Sequence, residues 1–106
     1  SLRGNRETKI NKINAKTISE WMKKLKKPTL LTSNCEDEVK PDDIVSRKEE
    51  KTFLNELNHH KIPYIHHKEL RPAIKHILSQ IKEKDLMLLL GPHAMDHAGE
   101  ITLNMI

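Results

Sequence analysis

Histidine is the residue of this chain best suited to chemistry near neutral pH, and four of its seven histidines follow two short apolar runs. His66 and His67 close the stretch Ile-Pro-Tyr-Ile-His-His at residues 62–67. His93 and His97 follow Asp-Leu-Met-Leu-Leu-Leu-Gly at residues 85–91, with Pro92 and Asp96 among them. If both runs are strands pointing the same way, His66, His67, Gly91, His93, Asp96 and His97 share one rim. Backbone donors at a glycine turn beside imidazoles suit a small anionic ligand or a nucleotide. The competing chemistry is a metal. His93 and His97 stand four apart, one face of a helix, and His66 would add a third nitrogen for zinc. The stretch lacks the glutamate of a His-Glu-x-x-His hydrolase motif, however, and its proline and glycine flanks argue for a loop of solvated histidines.

For the rim to exist, the two runs must pair in parallel. Leu70, Ile74, Ile77, Leu78 and Ile81 recur at steps of three and four within residues 68–84, the period of one helical face. Residues 86–90 are apolar at every position, which is how a strand covered on both faces reads. A strand, a helix and a strand in that order predict a right-handed βαβ unit, with ligands collecting outside the carboxyl ends of its strands. The expected fold class is therefore α/β: a small Rossmann-like domain of two or three layers with a mainly parallel sheet.

The rest of the chain supplies the other elements. Ile18, Trp21, Met22 and Leu25 follow a helical period, and Thr17 with Glu20 three residues on predicts a capping box at that helix's start. Pro28 ends it. Residues 29–33 predict a strand, followed by Asn34 and by Cys35, a structural thiol rather than a nucleophile because no motif supports catalysis. Residues 36–43 hold five carboxylates around Pro41 without the ligand spacing of a calcium loop, so they read as a solvated loop. Ile44 and Val45 suggest a very short strand. Ser46 and Glu49 predict a second capping box, opening a helix whose apolar face is Phe53, Leu54 and Leu57 and which stops between His59 and Lys61, before Pro63. Ile101, Leu103 and Met105 alternate as in an edge strand, with a last helical turn as the alternative.

At 106 residues the chain is expected to be one α/β domain over residues 15–106, preceded by a flexible basic lead-in over residues 1–14. With 36% hydrophobic residues and only Trp21, Phe53 and Tyr64 as aromatics, the core must come mostly from Leu, Ile and Met. Residues 1–27 hold nine lysines or arginines against Glu7 and Glu20, a net of +7, so the remainder carries −3 of the total +4. Lys23, Lys24, Lys26 and Lys27 are the candidate contact for an anionic partner, nucleic acid or protein, although a solvated helix end beside a favourable dipole explains them without one. The single cysteine allows no internal disulfide, no apolar run approaches the ~18 residues of a membrane helix, and no apolar signal core opens the chain. A cytoplasmic protein without a membrane partner is expected.

Residues 62–101 also carry a family pattern. Ile-Pro-Tyr-Ile, a helix containing Leu-Arg-Pro-Ala-Ile, and Lys-Asp-Leu-Met-Leu-Leu-Leu-Gly followed by small residues and an acid resemble the closing βαβ unit of Mur ligase C-terminal domains. The likeness, strongest to the UDP-N-acetylmuramate-alanine ligases, runs from about Ser46 onward. Where that family ends a strand in Gly-Ala-Gly-Asp, this chain has Gly91, Pro92, His93 and then Ala94 or Asp96, keeping only the first glycine. The resemblance implies a Rossmann-like domain that helps clamp nucleotide and amino acid in ATP-driven amide formation. No Gly-x-x-Gly-Lys-Thr/Ser phosphate loop is present, so the chain would be incomplete as an enzyme and no catalytic residue carries over. The expected function is a ligand-binding module, part of such a ligase or joined to a larger chain. The alternatives are an interaction domain with a basic N-terminal contact and a histidine metal site.

Overall fold

The structure is a computed structural model that describes residues 8–26 and 28–106. In chain order the elements are α1 (Thr8–Lys24), β1 (Leu31–Ser33), a 3-10 turn (Pro41–Asp43), α2 (Arg47–His59), β2 (Ile65–His67), α3 (Leu70–Leu78), a second 3-10 turn (His93–Met95) and α4 (Ala98–Met105). It is a small α/β fold: a two-stranded parallel sheet packed against four helices.

The two strands pair with Leu31 opposite Ile65, Thr32 opposite His66 and Ser33 opposite His67. Ile65 N–H donates to the Leu30 carbonyl at 3.0 Å and Asn34 N–H to the His67 carbonyl at 3.1 Å. Even-numbered residues of this stretch therefore aim their backbone groups at β2, and Leu31 and Ser33 turn theirs to the opposite edge. The alternation of side chains sorts the helices into layers. On one face Leu30 and Tyr64 pack with Phe53 and Leu57 of α2 and Ala15 of α1. On the other, Cys35 joins Leu70 and Ile74 of α3 and Ala98 and Ile101 of α4.

The crossover helix α2 is specified at both ends. Ser46 Oγ accepts from Glu49 N–H at 3.1 Å while Glu49 Oε1 accepts from Ser46 N–H at 3.2 Å, the capping box that the sequence predicts. At the other end Lys61 N–H reaches the Asn58 carbonyl and Ile62 N–H the Leu57 carbonyl, both at 3.0 Å, which returns the chain towards β2. This closure needs Lys61 at φ 58°, the left-handed region where glycine is the usual residue.

Several expectations are corrected. The βαβ unit predicted over residues 62–90 does not form: the parallel pair is β1 with β2 and the crossover is α2, because residues 86–90 take up no regular secondary structure and do not join the sheet. Helix α3 stops at Leu78, where Ser79 Oγ bonds the His76 carbonyl at 2.6 Å. Helix α1 begins at Thr8 rather than Thr17, whose hydroxyl bonds the Ile13 carbonyl at 3.0 Å in mid-helix. Its early turns bury Asn11 and Ala15, side chains that leave no apolar period to read. Residues 8–14 of the expected flexible lead-in are thus helical, and residues 1–7 lie outside the described residues. Finally, Ile44 and Val45 form no strand, and Ala98 with Ile101 makes the carboxyl-terminal segment a helix rather than an edge strand.

Ser46→Ala should lower the unfolding free energy by about 1 kcal/mol, the usual value of an N-cap. Thr17→Ala should change it by less than about 0.5 kcal/mol, as expected of a surface site. Equal losses for the two variants in urea titrations would contradict these helix starts.

Candidate functional site

Because α2 follows β1 and α3 follows β2, the start of each helix lies at the carboxyl edge of the sheet, the edge where ligands of open α/β sheets collect. The structure builds a polar cluster there. Glu50, in the first turn of α2, accepts a close hydrogen bond from Asn34 Nδ2, just past β1, and another from Lys68 Nζ at 2.5 Å, just past β2. His66 Nε2 stands 3.4 Å from the same carboxylate oxygen, within ion-pair reach but not aligned for a hydrogen bond. Its Nδ1 is 2.7 Å from Thr32 Oγ1 across the strand pair. On the opposite face His67 Nε2 meets His76 Nδ1 of α3 at 3.0 Å.

The electrostatics of this rim are compensated internally. Burial works to raise the Glu50 carboxyl, but hydrogen bonds from Lys68 and Asn34 and the positive charge of Lys68 overcome it and hold the group below its ordinary value. Burial pushes the His66 imidazole below its ordinary value, against a smaller opposing pull from Glu50. The free donors at the start of α3 are taken by Asp37, which accepts from Leu70 N–H at 2.6 Å and Arg71 N–H at 3.0 Å. Those of α2 are engaged by its capping box. Both positions where a helix end would hold a phosphate are therefore filled by the chain's own acceptors.

The residues singled out in the sequence fall into two groups. His66 and His67 belong to the cluster just described. Gly91, His93, Asp96 and His97 lie on the segment before α4, all exposed, with His93 Nδ1 paired to Asp96 Oδ2 at 2.5 Å and the His97 carbonyl accepting from Ile101 N–H at 2.9 Å. Met95 brings this segment to the end of β1, its sulfur 3.8 Å from Cys35 Sγ, while the His93 ring is 97% exposed. No hydrogen bond or ion pair links the two groups among the described residues. The alternative metal set of His66, His93 and His97 is not assembled, since no three His, Cys, Asp or Glu among the described residues are placed to hold an ion. Lys23, Lys24 and Lys26 are exposed at the end of α1, and Lys27 lies outside the described residues. Sequence reasoning missed Asn34, Asp37, Glu50, Lys68 and His76. Assigning the crossover to α2 would have pointed to the first four, because they follow the strands or open that helix.

A second feature lies at the open edge of β1. A cleft of about 120 Å³ separates β1 from residues 87–90, with Leu70, Ala73, Ile74 and Ile77 of α3 as its floor. Known small-molecule pockets hold roughly 300–1,000 Å³, so a nucleotide does not fit this space as it stands. Beside the cleft the leucines of this segment are exposed: Leu86 is 83% exposed, Leu88 65%, Leu89 36% and Leu90 72%. Among the described residues no helix is long and apolar enough to cross a membrane. No protein-family model matches the chain, and no curated protein is significantly similar to it.

The two shifted groups set a pH dependence. As pH falls through about 6.5, the unfolded chain protonates His66 before the native chain does, so stability declines. As pH falls through about 4.5, the same holds for Glu50, and its contribution is lost below its native value. Urea midpoints should therefore drop steadily from pH 7 to pH 4. His66→Gln should flatten the upper part of that slope, and an unchanged slope would remove His66 as its source.

Proposed function

We propose that this chain is a binding module that completes its sheet with an extended segment of another polypeptide, laid along the free edge of β1. The observation that carries this reading is the pairing of an open edge with an exposed apolar ribbon. Leu31 and Ser33 turn their backbone groups away from β2, and residues 86–90 expose all four of their leucines beside the adjoining cleft. A two-stranded sheet is marginal, and parallel sheets are ordinarily buried in the middle of larger ones. An added strand would gain main-chain hydrogen bonds from β1, rest on the apolar face of α3 and cover the leucines, the recognition mode of strand addition. With a third strand the sheet would take on Rossmann-like character. The likeness to Mur ligase C-terminal domains lends this reading no support, since the βαβ unit that carried it over residues 62–90 does not form.

A second reading is a small polar or anionic ligand at the carboxyl rim. It is favoured by one observation: Asn34 Oδ1 and His66 Nε2 are buried there without a hydrogen-bond partner among the described residues. Such a ligand, a nucleotide phosphate included, would have to displace Asp37 or Lys68 to reach the helix starts.

Selection from a displayed random heptapeptide library should enrich sequences with apolar residues at alternate positions. Leu31→Pro, which removes an edge donor without touching the β2 ladder, should abolish their binding and leave the far-UV spectrum unchanged. Protected amides at residues 87–89 in the isolated chain would show that it fills its own edge and would dispose of the proposal. Chemical-shift changes at Asn34 and His66 on titration with ATP, with no peptide enrichment, would favour the second reading instead.

A further inference from the structure

Helix α1 is built inside out. The side chains it buries are Asn11, Ala15 and Ser19, a small row four residues apart that lets α2 approach closely, with Asn11 Nδ2 3.4 Å from Glu49 Oε2. Asn14, Ile18 and Met22 are half-buried beside that row. The other large apolar residues of this segment face water: Ile10 is 41% exposed, Ile13 53% and Trp21 63%, with Leu25, just past the helix end, at 52%. At 100° per residue, Ile10, Ile13, Thr17 and Trp21 form one stripe. Lys9, Lys16 and Lys23 recur every seventh residue along one border of it, all exposed and in no ion pair among the described residues; Lys24 stands 5.2 Å from the Trp21 ring within the stripe, and Glu20, between the lysine row and the stripe, is the one carboxylate on this side of α1.

We propose that this stripe is the docking surface for an acidic amphipathic helix of a partner protein. Apolar residues at three- and four-residue steps, flanked by a heptad-spaced row of three lysines that outweighs the single carboxylate of Glu20, match one side of a helix–helix seam whose flanking positions choose the partner. The lysine row calls for carboxylates opposite, and like charge opposes a second copy of this chain. Nucleic acid is disfavoured because the stripe offers a single aromatic for stacking and otherwise aliphatic side chains. The surface is separate from the β1 edge, so this inference stands or falls independently of the strand-addition reading.

The test uses the full chain and a synthetic peptide of about five turns, with leucine at the two seam positions of each heptad and glutamate at the flanking ones. Trp21 is the sole tryptophan, so its emission reports the stripe directly. Binding should shift Trp21 emission to the blue and weaken as salt is raised, and the same peptide with lysine for glutamate should bind at least about tenfold more weakly. The triple variant Lys9→Glu, Lys16→Glu, Lys23→Glu, with an unchanged far-UV spectrum, should reverse that preference. The proposal is overturned if Trp21 does not respond to the acidic peptide, or if both peptides bind alike. It is equally overturned if phosphatidylserine vesicles or a single-stranded oligonucleotide shift Trp21 in preference to the acidic peptide.

Discussion

The carboxylate of Glu50 is the point at which the three parts of the β1-α2-β2 unit are tied together. It sits in the first turn of α2, takes a donor from Asn34 beyond β1 and another from Lys68 beyond β2, and lies beside His66 within β2. Partly buried, it is held below its ordinary pKa by those donors, and each donor in turn depends on the register of the strands. Loss of one partner would leave the others with uncompensated polarity, the costly outcome for buried polar groups. The register of Thr32 with His66 and the start of α2 are therefore a single constraint seen from two sides.

That constraint also governs what the carboxyl edge can bind. Asp37 closes the start of α3 as an external anion would, and Arg71 lies 3.5 Å from Glu38 in the same loop. The five carboxylates that read as a solvated loop include two that hold the next βα junction in place. The chain has used its own acids where an open α/β fold ordinarily receives a ligand. The chain's large exposed surfaces are apolar instead: the leucine ribbon of residues 86–90 and the outer stripe of α1.

Much of this was legible in the sequence, and the failures have physical causes. The Ser46–Glu49 box and the Phe53, Leu54, Leu57 period located α2 because capping chemistry and burial agree there. The short strands at Leu31–Ser33 and Ile65–His67 were placed for similar reasons, and the carboxyl-edge rule was sound. It was applied to the wrong pair, since five consecutive apolar residues declare burial but not a neighbour, and residues 86–90 join no ladder among the described residues. Helix α1 hid its start because its packing face is made of Asn11, Ala15 and Ser19, residue types that no hydrophobic period registers. The cluster around Glu50 was invisible because its members are ordinary polar residues joined only by tertiary pairing, 16 and 18 positions apart.

Cys35 adopts φ 54°, turning the chain out of β1, and its sulfur ends fully enclosed against the α3 and α4 core with Met95 alongside. A modifying reagent reaches that sulfur only when this half of the molecule opens, so the speed at which the lone thiol reacts is a clock for that opening. The protein thus carries its own probe of breathing, seated in the half that holds the exposed leucines and needing no foreign label.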